Sequence, residues 1–236
     1  MKLLALDTAT EACSVALQVG DAVTARHVVA GRSHTQILPR QVAEVLADAG
    51  LSVAELDGVI CGIGPGSFAG LRIGLSYAKG LAMVADLPTV GVSSLQMLAG
   101  PTTRADRVLT VIDARLSAVY AAAWQRDAHG HWQVVMAPIL CAPEALPAAP
   151  DPALIWQARG SGFAAYREAL VSAWGAPISS VDDAALPNAQ QALAIGRAML
   201  ARGEGVDAAR LQPLYLRNKV ALTRLEQQAL RAPRGV

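Results

Sequence analysis

The sequence has few cysteines and no long apolar run, and each shortage excludes a kind of protein. Cys13, Cys61 and Cys141 lie far apart and form no C-x-x-C pair, so free buried thiols are expected and a disulfide framework is not. No apolar run approaches the roughly 18 to 20 residues that cross a bilayer. The first apolar stretch, residues 3–6, ends at Asp7 before it can serve as a signal-peptide core. We therefore expect a cytoplasmic protein without a membrane partner.

Charge is also scarce. The chain is 17% charged, with a net charge of +1, so its composition provides no bulk attraction to nucleic acid or to an anionic membrane. Any contact with RNA must then be local. The one local candidate is the C-terminal tail, since residues 217–236 contain five basic residues and one acid, a pattern that fits both a solvated tail and a phosphate-binding one. The candidate contacts with RNA are Arg217, Lys219, Arg224, Arg231 and Arg234.

Apolar residues are abundant and follow a strand and helix order that repeats. The 236 residues are 53% hydrophobic, which is enough for one or two modest cores. In the first hundred residues the pattern predicts three strands, a helix, a strand, a helix and a strand, which is a mixed sheet with helices. A second meander of three strands and two further helices follow from about residue 104. We therefore predict an α/β protein of two similar halves. The predicted strands are residues 3–6, 13–17, 23–29, 59–63, 89–92, 108–112, 118–124, 132–140 and 154–158, and the later helices lie near residues 164–173 and 189–201.

The first predicted helix follows a capping-box signature, in which Ser33 precedes Gln36 by three residues. Pro39 falls within the first turns, so the regular helix either starts there or bends there. An apolar stripe at helical spacing predicts one amphipathic helix that ends before Gly50. This stripe consists of Leu38, Val42, Val45, Leu46 and Ala49.

A glycine-rich turn, residues 62–70 (GIGPGSFAG), lies between a predicted strand and a predicted helix, where backbone N–H groups can hold an anion. Residues 64–69 match a dinucleotide fingerprint, but they follow the fourth strand, and Pro65 removes one N–H. A Walker loop would need a lysine beside the turn, and a hydrolase elbow would need glycines on both sides of Ser67. Asp7 and Thr8, at the end of the first strand, fit either a metal-phosphate site or a capped turn.

The helix that follows, from Ser67 to about residue 84, has a small residue at every fourth position. Each internal glycine costs roughly 0.5 to 1 kcal/mol relative to alanine, and close approach to the sheet beneath or to a second helix would offset that cost. The other faces are apolar except for a stripe of Arg72, Ser76 and Lys79, which suits either a helix buried in its own domain or a surface for a partner protein. The small residues are Gly66, Gly70, Gly74, Ala78 and Ala82.

Three segments together resemble the bacterial TsaB (YeaZ) family: residues 4–17 (LALDTATEACSVAL), 33–39 (SHTQILP) and 64–74 (GPGSFAGLRIG). Shorter matches extend the resemblance over nearly the whole chain. The chain departs from the family's pattern at Ala69, where threonine is usual, and just after the DAR motif, where more polar residues are favoured. The shorter matches are residues 113–115 (DAR), 119–120 (VY), 160–162 (GSG), 213–217 (PLYLR) and 220–221 (VA).

The resemblance implies the actin-like and sugar-kinase-like ATPase fold, with two duplicated α/β subdomains, each a mixed sheet with a three-strand meander plus helices. We place the first subdomain at residues 1–103, the smaller second one at 104–215, and at 216–236 a basic tail that either packs back or is disordered. The second phosphate hairpin of this fold falls at residues 113–116 (DARL), which contain no glycine. We therefore expect no tight ATP binding and no cofactor. The vestigial phosphate-loop positions are Asp7, Thr8, Gly64 and Gly66.

The resemblance also implies a role in making N6-threonylcarbamoyladenosine (t6A) next to the anticodon of tRNA. In that pathway the related protein TsaD is the catalyst, the ATPase TsaE joins the complex, and a chain of this family is the non-catalytic subunit that binds and activates TsaD. TsaD has metal-binding histidines after the strand equivalent to residues 89–92, where this chain has residues 93–98 (SSLQML). We therefore expect no metal site and no catalysis. The rivals are an ATP-dependent small-molecule kinase and a glycoprotease-like peptidase.

For the interface, the resemblance implies that the two helices of the first subdomain pack against their counterparts on TsaD. Without TsaD, the same apolar surface is expected to pair with a second copy as a homodimer. Leu75→Arg is then expected to abolish both assemblies and to leave the fold intact. The candidate interface residues are His34, Thr35, Leu38, Val42 and Leu46 on the first helix, and Phe68, Leu71, Arg72, Leu75, Ser76 and Lys79 on the second.

Overall fold

The computed structural model of the chain describes residues 1–100 and 106–217, and they form two five-stranded mixed sheets. In the first sheet the spatial order is β3-β2-β1-β4-β5. Its first three strands form an antiparallel meander, and β4 and β5 extend the sheet in parallel. The strands are β1 (Lys2–Asp7), β2 (Ala12–Val19), β3 (Ala22–Val29), β4 (Gly58–Gly64) and β5 (Thr89–Ser93).

The second sheet repeats this arrangement in the order β10-β9-β6-β7-β8. Again three strands form an antiparallel meander and two extend it in parallel. The repeat confirms the predicted fold class of two duplicated α/β halves. The strands are β6 (Arg107–Arg115), β7 (Ala118–Arg126), β8 (Trp132–Cys141), β9 (Trp156–Arg159) and β10 (Ile178–Asp182).

Within the described residues, five α-helices cover these sheets. Helix α3 contacts strands of both sheets, so it lies at the junction of the halves, and α4 packs on the second sheet. The T-shaped pair Trp156 and Trp174, with ring centroids 4.9 Å apart, fills the core beneath α4. The helices are α1 (His34–Asp48), α2 (Phe68–Ala85), α3 (Ser94–Ala99), α4 (Gly162–Trp174) and α5 (Ala189–Ala201).

Strand β1 is buried on both faces because helices cover the first sheet on both sides. Leu4 and Leu6 belong to a core shared with α1 and α2. Leu3 and Ala5 point to the other face and pack in a cluster with Leu193 of α5. Alternation of side chains along a strand produces this division, and burial on both faces explains the continuous apolar run at residues 3–6.

Helix α5 packs on the first sheet, although the predicted division at residue 103 assigns it to the second half. The chain after α5 also returns to the first half, where Thr89 and Val206 exchange backbone hydrogen bonds and the Leu214 N–H donates to the Ile63 carbonyl at 2.8 Å. The proposed boundaries remain a prediction, and residues 218–236 of the tail lie outside the described residues.

The start of α1 differs from the expectation. The helix begins at His34 with Ser33 as its N-cap, but the Ser33 side chain makes no capping hydrogen bond, so the predicted capping box is wrong. The backbone of Ser33 (φ −96°, ψ 17°) is not in the extended conformation that a capping side chain requires. Pro39 lies inside the helix. Strand β10 and helix α3 were not predicted.

Candidate functional site

A cleft of about 870 Å³ lies between the two halves. Two hairpin turns face it, the β1–β2 turn of the first sheet and the β6–β7 turn of the second, together with the N-termini of α2 and α4. Thr10, Arg32, Asp113, Arg115 and Ser161 are among its polar lining. The two turns are topologically equivalent, since each joins the first two strands of its meander.

The β1–β2 turn is closed by direct contact with helix α2. The Thr8 hydroxyl is buried and donates to the Gly70 carbonyl at 2.8 Å. A Cβ on Gly70 would lie 2.1 Å from the Thr8 carbonyl oxygen, and one on Gly66 would lie 2.2 Å from that of Ala9. Gly66, just before α2, and Gly70, in its first turn, therefore face the end of β1. The glycines of α2 were expected to approach either the sheet or a second helix, and close approach to the sheet is confirmed on this face.

Asp7 is completely buried behind this turn. Its Oδ1 accepts the Ala9 N–H at 3.2 Å, and its Oδ2 has no hydrogen-bond partner among the described residues. Burial raises the pKa of the Asp7 carboxyl from 3.8 to about 6. A Cβ on Gly62 would lie 1.8 Å from Oδ2, so the strand backbone itself covers the carboxylate. Asp7 and Thr8 do not line the cleft.

The β6–β7 turn differs from the first turn in its backbone conformation and in its side chains. Arg115, Leu116 and Ser117 all have left-handed backbone conformations, with φ of 61°, 55° and 52°. The Asp113 carboxylate accepts the Arg115 N–H at 2.8 Å and pairs with its guanidinium, also at 2.8 Å. Arginine and leucine side chains thus stand at this turn in place of glycine.

Six of the eleven predicted interface residues are buried in this chain, so their side chains offer little surface to a partner, and their place in the interface stays a prediction. Leu75, for example, is 5% exposed, and Leu75→Arg would disrupt the fold rather than spare it. The apolar stripe of α1 covers the first sheet. His34 is buried with its Nε2 3.2 Å from the Ala12 carbonyl oxygen. The buried six are His34, Leu38, Val42, Leu46, Leu71 and Leu75.

The remaining five predicted residues stay a prediction. Thr35, Phe68, Arg72 and Ser76 are exposed, and half-buried Lys79 donates its Nζ to the Ala209 carbonyl at 3.3 Å. An open groove of about 540 Å³ runs between α1 and α2. Its lining residues are Thr35, Leu38, Pro39, Arg72, Ile73, Ser76 and Tyr77.

Arg217 is the last described residue of the chain and the only predicted tRNA contact within the described part. Its Nη2 donates to the carbonyls of Ala114 and Arg115, at 3.0 and 3.2 Å. The guanidinium is therefore engaged by the β6–β7 turn. The other four candidates lie outside the described residues.

The described residues hold neither a cluster of metal ligands nor a membrane-spanning helix. Within residues 1–100 and 106–217, no three histidine, cysteine or carboxylate side chains lie close enough to hold a metal ion. None of the helices in those ranges is both long and apolar enough to cross a membrane. Cys13 and Cys61 are buried free thiols, and burial raises the pKa of both.

Two duplicated mixed sheets around a cleft, with paired hairpin turns at its walls, define the class of actin-like and sugar-kinase-like ATPase folds. The family model of TsaD, tRNA N6-adenosine threonylcarbamoyltransferase, matches residues 27–210. The chain is 38% identical to the tRNA threonylcarbamoyladenosine biosynthesis protein TsaB of Escherichia coli, over 95% of this chain and 98% of that protein. It is 34% identical to the protein of the same name from Haemophilus influenzae, over 95% and 97%. The solved structure of YeaZ from Pseudomonas aeruginosa is similar, with a TM-score of 0.83 and 36% identity over 91% of this chain and 99% of that one.

The chain belongs to the TsaB (YeaZ) family of tRNA threonylcarbamoyladenosine biosynthesis proteins. The resemblance in the sequence analysis is thereby confirmed. The comparisons do not favour the two rival functions, a small-molecule kinase and a glycoprotease-like peptidase.

Proposed function

We propose that the chain is the non-catalytic subunit that binds and activates the TsaD catalytic subunit in t6A synthesis. In this proposal TsaD transfers the threonylcarbamoyl group to the adenosine next to the anticodon. The single observation that carries it is full-length similarity to TsaB proteins, in a chain with an open groove between α1 and α2. We further propose that the ATPase TsaE joins this complex, that tRNA is contacted through it, and that a second copy occupies the groove when TsaD is absent.

The orientation of α2 supports a partner surface. The glycine side of the helix meets the sheet, and Phe68, Arg72 and Ser76, spaced one turn apart, form an exposed row beside the groove. Residues four apart lie on one face of a helix. A groove between two helices, bordered by such a row, suits the helices of a partner protein.

The packing of α3 supports a non-catalytic role. The segment that replaces the histidines of the catalytic relative is buried at the junction of the halves, where Ser94 and Leu95 have no exposed surface. At the second phosphate position, the side chains of Arg115 and Leu116 replace a glycine hairpin. We accordingly expect that isothermal titration calorimetry of the isolated chain will detect no micromolar ATP affinity, and micromolar binding would contradict this part of the proposal.

The test of the groove is a charge placed on its exposed row. Ser76→Arg introduces a long cation into the groove, whereas Ser172→Arg makes the same change at an exposed serine of α4. We expect Ser76→Arg to weaken binding to purified TsaD at least 100-fold and Ser172→Arg to leave it unchanged, with equal melting temperatures. Equal binding by both variants would show that the groove is not the interface.

The cellular test is mass-spectrometric measurement of t6A in total tRNA after depletion of the protein in its own organism. Loss of t6A, with other modified nucleosides intact, is expected. Complementation with Ser172→Arg should restore t6A and Ser76→Arg should not. An unchanged t6A level after depletion would contradict the proposed role.

A further inference from the structure

The β6–β7 turn has a backbone that the fold alone does not explain. Three consecutive residues, Arg115, Leu116 and Ser117, have φ between 52° and 61°, a region that side chains with a Cβ disfavour. None of them is glycine or asparagine, the residues that adopt this conformation readily. A turn of this kind persists only where surrounding contacts determine it.

Three contacts hold the turn. The Asp113 carboxylate accepts the Arg115 N–H at 2.8 Å, and the Ser161 hydroxyl oxygen accepts the Asp113 N–H at 3.2 Å. The third contact comes from about a hundred residues further along the chain, where Arg217 donates through Nη2 to the carbonyls of Ala114 and Arg115. The strained conformation is therefore maintained by contacts from its own strand, from the start of α4 and from the end of the described chain.

The turn places an exposed leucine beside two exposed aromatic rings. Leu116 is 78% exposed, Phe68 44% and Tyr215 41%. These three residues, which we call the tip patch, line a cavity of about 240 Å³. The rings of Phe68 and Tyr215 lie 5.4 Å apart. Exposed apolar groups gathered in this way typically mark a contact with another molecule.

The rim of the tip patch is basic. Arg217 and Arg115, whose guanidinium pairs with Asp113, line the cavity, and the described residues that line it include no carboxylate. The guanidinium of Arg72 lies 3.8 Å from the centroid of the Phe68 ring. Arg72 also lines the groove between α1 and α2, so the tip patch and the groove are continuous through this residue.

We propose that the tip patch is the second part of the surface that binds the catalytic subunit, and that it receives an apolar surface bordered by carboxylates. This inference rests on the proposed function, in which the groove is the first part. Phe68 belongs to the first half and Leu116 to the second, so a partner seated on both spans the two halves at the cleft. Arg217 is a positioning residue, because it holds the turn that presents Leu116.

The same patch is less suited to RNA bases. Arg72 covers one face of the Phe68 ring, and Tyr215 packs against the ring as well, which leaves little free ring surface for stacking. Leu116, the most exposed member, offers no hydrogen bond to a base. The observations thus favour a protein partner.

The first experiment compares Leu116→Asp with Ile155→Asp, a 60% exposed residue of the same half that lies outside the patch. Affinity for purified TsaD is measured by calorimetry. Leu116→Asp should weaken binding at least tenfold with no loss of melting temperature, since aspartate tolerates a left-handed backbone better than leucine. Ile155→Asp should bind as the wild type does.

The result for Leu116→Asp is compared with that for Ser76→Arg, so that failure of the inference about the tip patch can be distinguished from failure of the proposed groove. If Ser76→Arg abolishes binding and Leu116→Asp does not change it, the groove stands and the inference about the tip patch is overturned. If neither variant affects binding, both are overturned. If Leu116→Asp weakens tRNA binding but not TsaD binding, the patch contacts RNA and the inference is again wrong.

The role of Arg217 is tested by a double-mutant cycle. Arg217→Ala should weaken TsaD binding several-fold in the wild type and have almost no further effect in Leu116→Asp, because it acts through the turn. Arg217→Lys should rescue little, since one ammonium does not reproduce the guanidinium's bonds to two carbonyls. Fully additive losses, or full rescue by lysine, would overturn the positioning role.

Discussion

The two hairpin turns at the cleft occupy equivalent positions in the two sheets and are built in opposite ways. The β1–β2 turn is covered by the start of helix α2, where Gly66, just before the helix, and Gly70, in its first turn, approach the carbonyls of Ala9 and Thr8. Among the residues that the structure describes, no helix covers the β6–β7 turn in this way. It presents Leu116 to solvent and is held from behind by Arg217.

The difference shows how a duplicated fold divides two tasks between equivalent turns. In the first turn the backbone approaches a helix so closely that no side chain fits, and the turn stabilises the first half. In the second turn the side chains project outward and the backbone is strained, which suits a contact surface. Substitutions that add atoms should therefore be costly in the first turn and tolerated in the second.

The largest effect is expected for Gly70→Ala. Its methyl group would lie 2.1 Å from the Thr8 carbonyl oxygen, and neither backbone can move without disturbing β1. We expect a loss of about 3 kcal/mol in the free energy of unfolding, measured by urea denaturation. Gly80→Ala on the same helix meets nothing within 4 Å and should gain about 0.5 to 1 kcal/mol. Equal effects of the two substitutions would refute the close-contact explanation.

A smaller effect concerns the pH dependence of stability through Asp7. Because the pKa in the folded protein, about 6, lies above the ordinary value, the folded state binds the proton more tightly. Its contribution to stability is thus present below the unfolded pKa and is lost as pH rises through 6. Between pH 4.5 and 7.5 the wild type should lose about 2 kcal/mol relative to Asp7→Asn.

The measurement for Asp7 is urea unfolding at pH 4.5, 6.0 and 7.5. Asp21→Asn, at an exposed position in the β2–β3 turn, is the control and should retain the pH dependence of the wild type. A wild-type curve parallel to that of Asp7→Asn would show that the buried carboxyl does not titrate in this range.

The strand and helix order was predictable because each buried strand carries an apolar run and each boundary carries a turn residue. The duplication followed from that order. Strand β10 escaped prediction because its sequence, ISSVD, carries no apolar run, and helix α3 because it is only six residues long, too short for a clear period. The capping box of α1 failed since the pattern of Ser33 and Gln36 says nothing about the backbone angles at the cap.

The candidate site was less predictable, for a physical reason that Leu38 and Leu75 show. An apolar stripe on a helix records that the face is buried, but not whether the chain itself or a partner buries it. Here the sheet of this chain covers both residues. The left-handed backbone of the second turn could not be predicted from the sequence, because Arg115, Leu116 and Ser117 are not residue types that typically adopt it. Only its equivalence to the first turn pointed to it.

The smallest effect is expected at the tip of the second turn, where Leu116→Asn should raise stability by about 0.5 kcal/mol. Asparagine adopts a left-handed backbone at less cost than leucine, and an exposed leucine contributes little packing to lose. Val134→Asn, at a 55% exposed position of strand β8, should instead lower stability slightly, since asparagine is disfavoured in strands. Melting temperatures of both variants and the wild type check this order. If Leu116→Asn is the less stable of the two variants, the leucine side chain packs within the fold. The contrast between a first turn covered by α2 and a second turn that exposes its side chain then no longer holds.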